Sequence, residues 1–354
     1  MFQVVRLIGL LSIMIAVAAC GAAPTPAPAS APTQPAPTDS PAVVPTPSAA
    51  PTPAATAAAA KATDLAFTDA TSTTVTLANA PERIVCLTEI CVDILADLGL
   101  EPVAVTPGGV APLPEYFGEK AKSFSIIGGS FFEPSLEDIA RAKPDLVIGL
   151  GGVHEALRDG LKSIAPLYIM SPRTYNDSIA YLKDIGRLTG RAAQADAAAQ
   201  TFLKRLETYK TKAPKDKTVL VMWGSDVNFG IDTAGSLVGA LLSELVRYPW
   251  PAPPAGTEGH ESGGIQFSLE KVLEQNPDVL FVETYGFGPT PPVPLSEQLA
   301  ANPLWKEIKA VQRGQVHEVS FAVWGTGRGL RSLTLVLDEA MTKTYPQVFP
   351  QPLP

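Results

Sequence analysis

The 354-residue sequence is short of cysteine, histidine and long apolar runs, and each shortage excludes a class of protein. Three cysteines cannot staple so long a chain into a disulfide scaffold. Cys86 and Cys91 are read as free buried thiols, the first in strand sequence and the second at a helix start, with a bridge as the alternative. Three histidines, His154, His260 and His317, stand in no paired motif, whereas capture of a bare zinc or manganese ion needs converging imidazoles and carboxylates. All three are read as loop or surface residues, His154 alone being near enough to a glycine loop to touch a chelated iron, and no metal ligand is assigned. There is no GxxxxGK[ST] loop and no G-x-S-x-G elbow, and Gly149-Leu150-Gly151-Gly152 lacks the GxGxxG spacing. No reactive constellation is left from which to build an enzyme. No basic block exists either, and a net charge of −8 argues against nucleic acid, whose binding needs cationic patches.

Charge is almost missing from the first sixty residues, where Arg6 and Asp39 are the only charged side chains. The apolar run Leu7–Ala19 is thirteen residues, short of the ~20 that span a bilayer. It ends in Val17-Ala18-Ala19-Cys20, then Gly21. Residues 1–19 resemble a bacterial lipoprotein signal peptide, and the resemblance implies cleavage before Cys20 and lipidation of that cysteine. Multiple acyl chains anchor stably where one is marginal. Eleven of the chain's 35 prolines fall between Gly21 and Ala60, so residues 20–63 read as a disordered Pro/Ala/Thr tether. Fully extended as polyproline it reaches at most ~120 Å.

The body carries one unit twice. Ser135-Leu136-Glu137-Asp138-Ile139-Ala140-Arg141-Ala142-Lys143-Pro144-Asp145-Leu146-Val147-Ile148 aligns without a gap on Ser268-Leu269-Glu270-Lys271-Val272-Leu273-Glu274-Gln275-Asn276-Pro277-Asp278-Val279-Leu280-Phe281, with five of fourteen positions identical. Each copy predicts a serine N-cap, two turns of helix, a stop at proline and a buried strand. Strands at Arg83–Leu87, Pro102–Val105 and Thr218–Trp223 alternate with helices at Cys91–Leu98 and Leu237–Val246, the pattern of parallel sheets. The fold class is α/β: two similar lobes with parallel sheets, residues 64–174 and 213–354, joined by one long connecting α-helix at 175–212. Between Asn176 and Lys212 there is no proline and only Gly186 and Gly190 among the glycines. One continuous helix of about 35 residues and 50 Å is favoured over two helices broken near Gly190.

Glu82-Arg83-Ile84-Val85-Cys86-Leu87-Thr88, Leu98-Gly99-Leu100-Glu101-Pro102-Val103-Ala104-Val105, the two Ser-Leu-Glu helices, and Asn302-Pro303-Leu304-Trp305-Lys306-Glu307-Ile308 with Arg313-Gly314-Gln315-Val316 resemble, in order and spacing, the substrate-binding proteins of ABC importers. The likeness is to the type that receives ferric siderophores, cobalamin or haem, and it covers about residues 81–345. It implies a monomeric extracytoplasmic receptor on the periplasmic or outer cell-surface side, tethered to the membrane, with no intrinsic cofactor. Such a receptor captures a small chelated-metal ligand, ferric siderophore first, and delivers it to a permease with its ATPase. It also implies that Glu137 and Glu270 dock on permease arginines, and the rigid connector helix predicts that the lobes close only modestly. A tethered sensor or scaffold without transport role is the rival.

Ligands of open α/β sheets sit outside the carboxyl ends of the strands. That rule selects Thr88, Glu89, Ser130, Phe131, Phe132 and Gly152 in the first lobe, and Trp223, Tyr285, Phe287, Trp324 and Arg328 in the second. Aromatics there supply rigid contact area, and an arginine there pairs with anionic ligand oxygens.

Overall fold

The computed structural model describes residues 65–254, 264–286 and 291–354. Residues 1–19 and 20–63, read as signal peptide and tether, lie outside the described residues with Cys20, His260 and Phe287. The first lobe opens with a hairpin of β1 (Leu65–Thr68) and β2 (Thr74–Leu77). It continues through β3 (Ile84–Cys86), α1 (Glu89–Leu98), β4 (Ala104–Val105), β5 (Ser125–Ile126), α2 (Leu136–Ala142), β6 (Leu146–Leu150), α3 (Arg158–Leu161) and β7 (Leu167–Met170). Two helices follow, α4 (Tyr175–Leu188) and α5 (Ala192–Lys212). The second lobe begins with β8 (Val219–Gly224), β9 (Gly230–Asp232), α6 (Leu237–Ser243), β10 (Gly264–Gln266), α7 (Leu269–Gln275) and β11 (Val279–Thr284). It ends with α8 (Leu295–Leu299), α9 (Pro303–Glu307), α10 (Lys309–Gln312), β12 (Val316–Val319), α11 (Phe321–Trp324) and α12 (Leu330–Thr344).

The first sheet runs β5-β4-β3-β6-β7, every pair parallel. The second runs β10-β9-β8-β11-β12, with β8, β11 and β12 parallel and β9 and β10 antiparallel. The repeated unit occupies the same place in both, its strand lying beside the first strand of its lobe's five-stranded sheet: β6 beside β3, β11 beside β8. Its punctuation has a physical basis. The helices end on Lys143 (φ 49°) and Asn276 (φ 44°), both left-handed, and the following proline cannot continue a helix. The aspartate after the proline then ties the new strand to its neighbour. Asp145 accepts from the N–H groups of Glu82 (2.8 Å) and Arg83 (2.9 Å), and Asp278 accepts from that of Thr218 (2.9 Å). The caps differ: Ser135 Oγ accepts from Asp138 N–H, whereas Ser268 holds the N-cap position without a side-chain cap bond.

Alternation along the buried strands divides the core into three. Val85, Val147 and Ile169 face an outer core of the first lobe, and Leu220, Met222, Leu280 and Val282 face an outer core of the second. The opposite faces (Cys86, Ile148 and Tyr168; Val219, Val221 and Phe281) join α1, α4, α5, α6 and α12 in one core shared by both lobes. A shared core resists wide hinge opening, because separating the lobes would re-expose it.

Two expectations are corrected. The connector is broken: α4 ends at Leu188, Gly190 adopts φ 69°, and α5 starts at Ala192. The long helix of the fold is α5, 21 residues, with α4 packed back on it. A β-carbon on Gly186 would stand 2.6 Å from that of Ala195, so the close approach of the two helices depends on that glycine. Cys86 and Cys91 are not free thiols; they form a disulfide, their α-carbons 5.4 Å apart across the turn from β3 into α1. Cys86 ends β3 and Cys91 is the third residue of α1, so the short turn Leu87-Thr88 brings strand end and helix start within bridging distance.

Candidate ligand cleft

The carboxyl ends of the two sheets meet. Arg173, three residues beyond β7, lies within electrostatic reach of Arg328, which precedes α12. The Ser178 hydroxyl of α4 donates to the Arg328 carbonyl at 2.6 Å. Arg173 was missed from the sequence, although the strand-end rule that selected its neighbours also covers a Ser-Pro-Arg segment following Met170.

In the first lobe the strand-end residues are largely occupied with one another. Thr88 is the buried N-cap position of α1 and makes no side-chain cap bond. Glu89 is buried and accepts from Val110 N–H at 2.8 Å; burial pushes its carboxyl up to about 7, against that hydrogen bond. It holds the 106–111 loop instead of facing solvent. Ser130 Oγ accepts from Glu133 N–H, closing the loop that carries Phe131 and Phe132. Phe131 is half-buried edge-on to His154 at 5.3 Å, while Phe132 is 61% exposed. His154 is fully buried and not a surface residue. Its Nδ1 accepts from Leu150 N–H (3.0 Å), so Nε2 carries the proton and donates to the Phe131 carbonyl (2.8 Å). Both nitrogens are used, and none is left for iron. Gly152 is exposed at the tip of the next loop, its N–H donating to Glu155.

The second lobe presents more chemistry. Trp223 lies on its sheet with the ring over Gly230 and Gly264, where β-carbons would come within 2.2 and 2.9 Å of it. The two glycines make a flat seat at the sheet edge. Tyr285 is half-buried and tilted on Phe321, 5.1 Å between rings. Arg328 is half-buried, with Asp232 and Glu283 in electrostatic reach. Burial is the main influence on Asp232, pushing it up to about 6. Trp324 does not join this group. It is 2% exposed, stacked on Phe281 at 4.8 Å, with its ring N–H donating to Glu339 at 2.9 Å. An indole inside a core needs such a partner, and α12 supplies it.

A buried network fixes the lobes to each other behind the cleft. Asp93 of α1 is fully buried and caps α12 across the junction, accepting from the N–H groups of Arg331 and Ser332, each at 2.9 Å. The Tyr116 hydroxyl bridges Asp93 (3.2 Å) and the Ser332 hydroxyl (2.6 Å). Arg331 pairs with Asp97 at 2.8 Å and donates to the Glu115 carbonyl at 2.7 Å. Arg328 therefore sits on a segment anchored from the first lobe.

Glu137 and Glu270 are exposed at matching positions of α2 and α7. Glu137 shares Arg141 with Asp138, whereas Glu270 has no ion pair among the described residues.

Two α/β lobes on a shared core, with a cleft at the strand ends, are the architecture of a solute-binding receptor. The chain belongs to the periplasmic binding protein family, whose model matches residues 84–322. It is similar to a probable siderophore-binding lipoprotein of Bacillus subtilis, 30% identical over 74% of this chain and 82% of the relative. The Fe(3+) dicitrate-binding periplasmic protein of Escherichia coli is 28% identical, over 73% of this chain and 83% of that protein. The petrobactin-binding protein of Bacillus subtilis has the same fold, with a TM-score of 0.68 at 21% identity over 80% of this chain and 99% of that one. The protein is accordingly an ABC-importer substrate-binding protein and not an enzyme.

Proposed function

We propose that this receptor captures an anionic ferric siderophore or ferric carboxylate chelate between its lobes and delivers it to a membrane permease. The observation that carries the ligand class is Arg328, half-buried beyond β12 of the second lobe, its proton affinity lowered by burial and, to a smaller degree, by Arg173 of the other lobe. Guanidinium groups recognise carboxylate and catecholate oxygens through charge-assisted hydrogen bonds. Trp223, Tyr285, Phe131 and Phe132 supply apolar walls for the organic part, and Ser130 and Gly152 lie at the rim. Iron arriving already chelated needs no protein ligand. Relatives named for ferric citrate, achromobactin and petrobactin binding support this class. Cobalamin is less well matched by paired arginines. His154 offers haem no ligand, since both of its ring nitrogens are used.

Glu137 and Glu270 dock the two lobes on permease arginines, where rim charges steer encounter and set orientation. Cys20 carries the lipid anchor, the tether lets a monomeric body reach the permease, and the partner hydrolyses ATP. Titration of the purified body with ferric citrate and ferri-bacillibactin, followed by tryptophan quenching, tests the ligand class. Saturable binding that Arg328→Gln weakens severalfold or more is expected. Unchanged affinity in that variant, or no binding of either chelate to the wild type, would overturn it.

A further inference from the structure

Helix α12 begins without a cap of its own. Its N-cap position is Gly329, which has no side chain, so the first N–H groups of the helix need an acceptor from elsewhere. Asp93 supplies it from α1 of the other lobe: Oδ1 accepts from Arg331 N–H and Oδ2 from Ser332 N–H, each at 2.9 Å. The carboxylate lies so close to the chain that a β-carbon on Gly329 would stand 2.3 Å from Oδ1. Tyr116 braces the same group, its hydroxyl donating to Oδ2 at 3.2 Å and lying 2.6 Å from the Ser332 hydroxyl. One residue before the glycine, the Arg328 carbonyl accepts from the Ser178 hydroxyl of α4 at 2.6 Å. That hydroxyl has an alternative within its own helix, the Thr174 carbonyl, but at 3.4 Å it is the longer contact. Asp93, Ser178 and Ser332 are fully buried, where such bonds are expensive to leave unmade. Residues 328–332 are therefore held at both ends by side chains from outside the second lobe.

We propose that Asp93 and Ser178 are positioning residues for ligand capture, acting through the backbone that carries Arg328. The proposal rests on the reading of Arg328 as the group that binds an anionic chelate. A guanidinium on a long, flexible side chain gains most from a bound anion when the backbone beneath it is already fixed. The carboxylate cap fixes the chain on one side of Arg328 and the serine hydroxyl fixes its own carbonyl. Affinity is then set partly at the lobe junction, by residues that need not meet the ligand. The sign separates this role from a direct charge effect. Removing the Asp93 charge would by itself tighten binding of an anion, because like charges repel; releasing the backbone weakens it.

A double-mutant cycle tests the role, with ferric citrate and ferri-bacillibactin titrations followed by tryptophan quenching. Asp93→Asn should weaken binding by about tenfold, as loss of a hydrogen bond to a charged group does. Ser178→Ala changes no charge, leaves the helix cap in place and should weaken binding severalfold. In the Arg328→Gln background both losses should largely vanish. Losses that persist undiminished there overturn the positioning role, since a merely structural contribution does not depend on the side chain at 328. Tighter binding in Asp93→Asn also overturns it. Wild-type affinity in Arg328→Gln overturns the anionic-chelate reading, and the positioning role with it.

A second arm needs no ligand. Amide exchange in Asp93→Asn should be severalfold faster at Arg331 and Ser332, with residues 336–341 of α12 as protected as in the wild type. Unchanged exchange at Arg331 and Ser332 overturns the proposal. Faster exchange along the whole helix does so too, because Asp93 would then hold up α12 at large and not the segment that carries Arg328.

Discussion

The two lobes share a plan and differ in how they use it. Both place a Pro-Asp strand beside the first strand of the five-stranded sheet, and both use the aspartate to latch the strands together. The five-stranded sheet of the first lobe is wholly parallel, and that lobe carries a disulfide at the end of β3 and occupies Glu89 and His154 with internal hydrogen bonds. The second is mixed at its edge and gathers Asp232, Glu283 and Arg328, with Glu283 lacking a hydrogen-bond partner among the described residues. Duplication thus supplies two similar scaffolds, and the strand ends divide the labour. One lobe makes a braced wall, the other the charged floor.

The largest effect that would sharpen this comparison is on affinity. Arg328→Gln should weaken binding of ferric citrate or ferri-bacillibactin by about 10–100-fold, the worth of hydrogen bonds to a charged group. Phe132→Ala in the first lobe should cost only a few-fold, and comparable losses from both would erase the division. Next comes the brace itself. The Glu89 carboxyl, raised by burial to about 7, contributes stability that is complete below its unfolded value near 4.5 and lost as pH rises through about 7. The loss is on the order of 3 kcal/mol by that shift. Glu89→Gln should flatten urea-midpoint stability over this window, and an unaltered slope would show that Glu89 is not its source.

Removing the disulfide as Cys86→Ala/Cys91→Ala should cost about 2 kcal/mol, the chain-entropy value for so short a loop. Thermal unfolding by circular dichroism would show it as a Tm lower by several degrees. No loss would mean that packing alone holds the turn. The smallest effect concerns docking. Glu137 is partly neutralised by Arg141 and Glu270 is not, so Glu270→Lys should depress uptake more than Glu137→Lys. Exposed rim charges contribute little each, and ligand affinity should not change. Equal uptake defects would show that Arg141 does not shield its neighbour.

Particular residues explain what was legible in the sequence. The repeat exposed two lobes because proline and a left-handed cap act within three or four residues, and α1 was readable from its apolar spacing. The break at Gly190 was not, since every residue around it tolerates helix and only packing of α4 on α5 selects the turn. The disulfide was hidden because a spacing of five says nothing about geometry until strand and helix flank it. Trp324 looked like a cleft aromatic among glycines, and its burial follows from Phe281 and Glu339, both remote in sequence. Arg173 was within reach of the strand-end rule once Leu167–Met170 is taken as a strand. The burial of Glu283 was not, because an acid closing an apolar run reads as a solvated strand end.

Sequence alone determined the duplicated α/β plan and the scarcity of metal-binding side chains, along with the family resemblance carried by local segments in order. These are properties of short stretches, where sterics and periodicity act on neighbouring residues. Tertiary structure decided that Glu89 and His154 turn inward and that Asp93 caps a helix 237 positions away at Leu330. It also set Arg173 and Arg328 within reach of each other across the lobes. Burial and electrostatic contact join residues from distant segments, and no local pattern encodes which charges will share a low-dielectric floor.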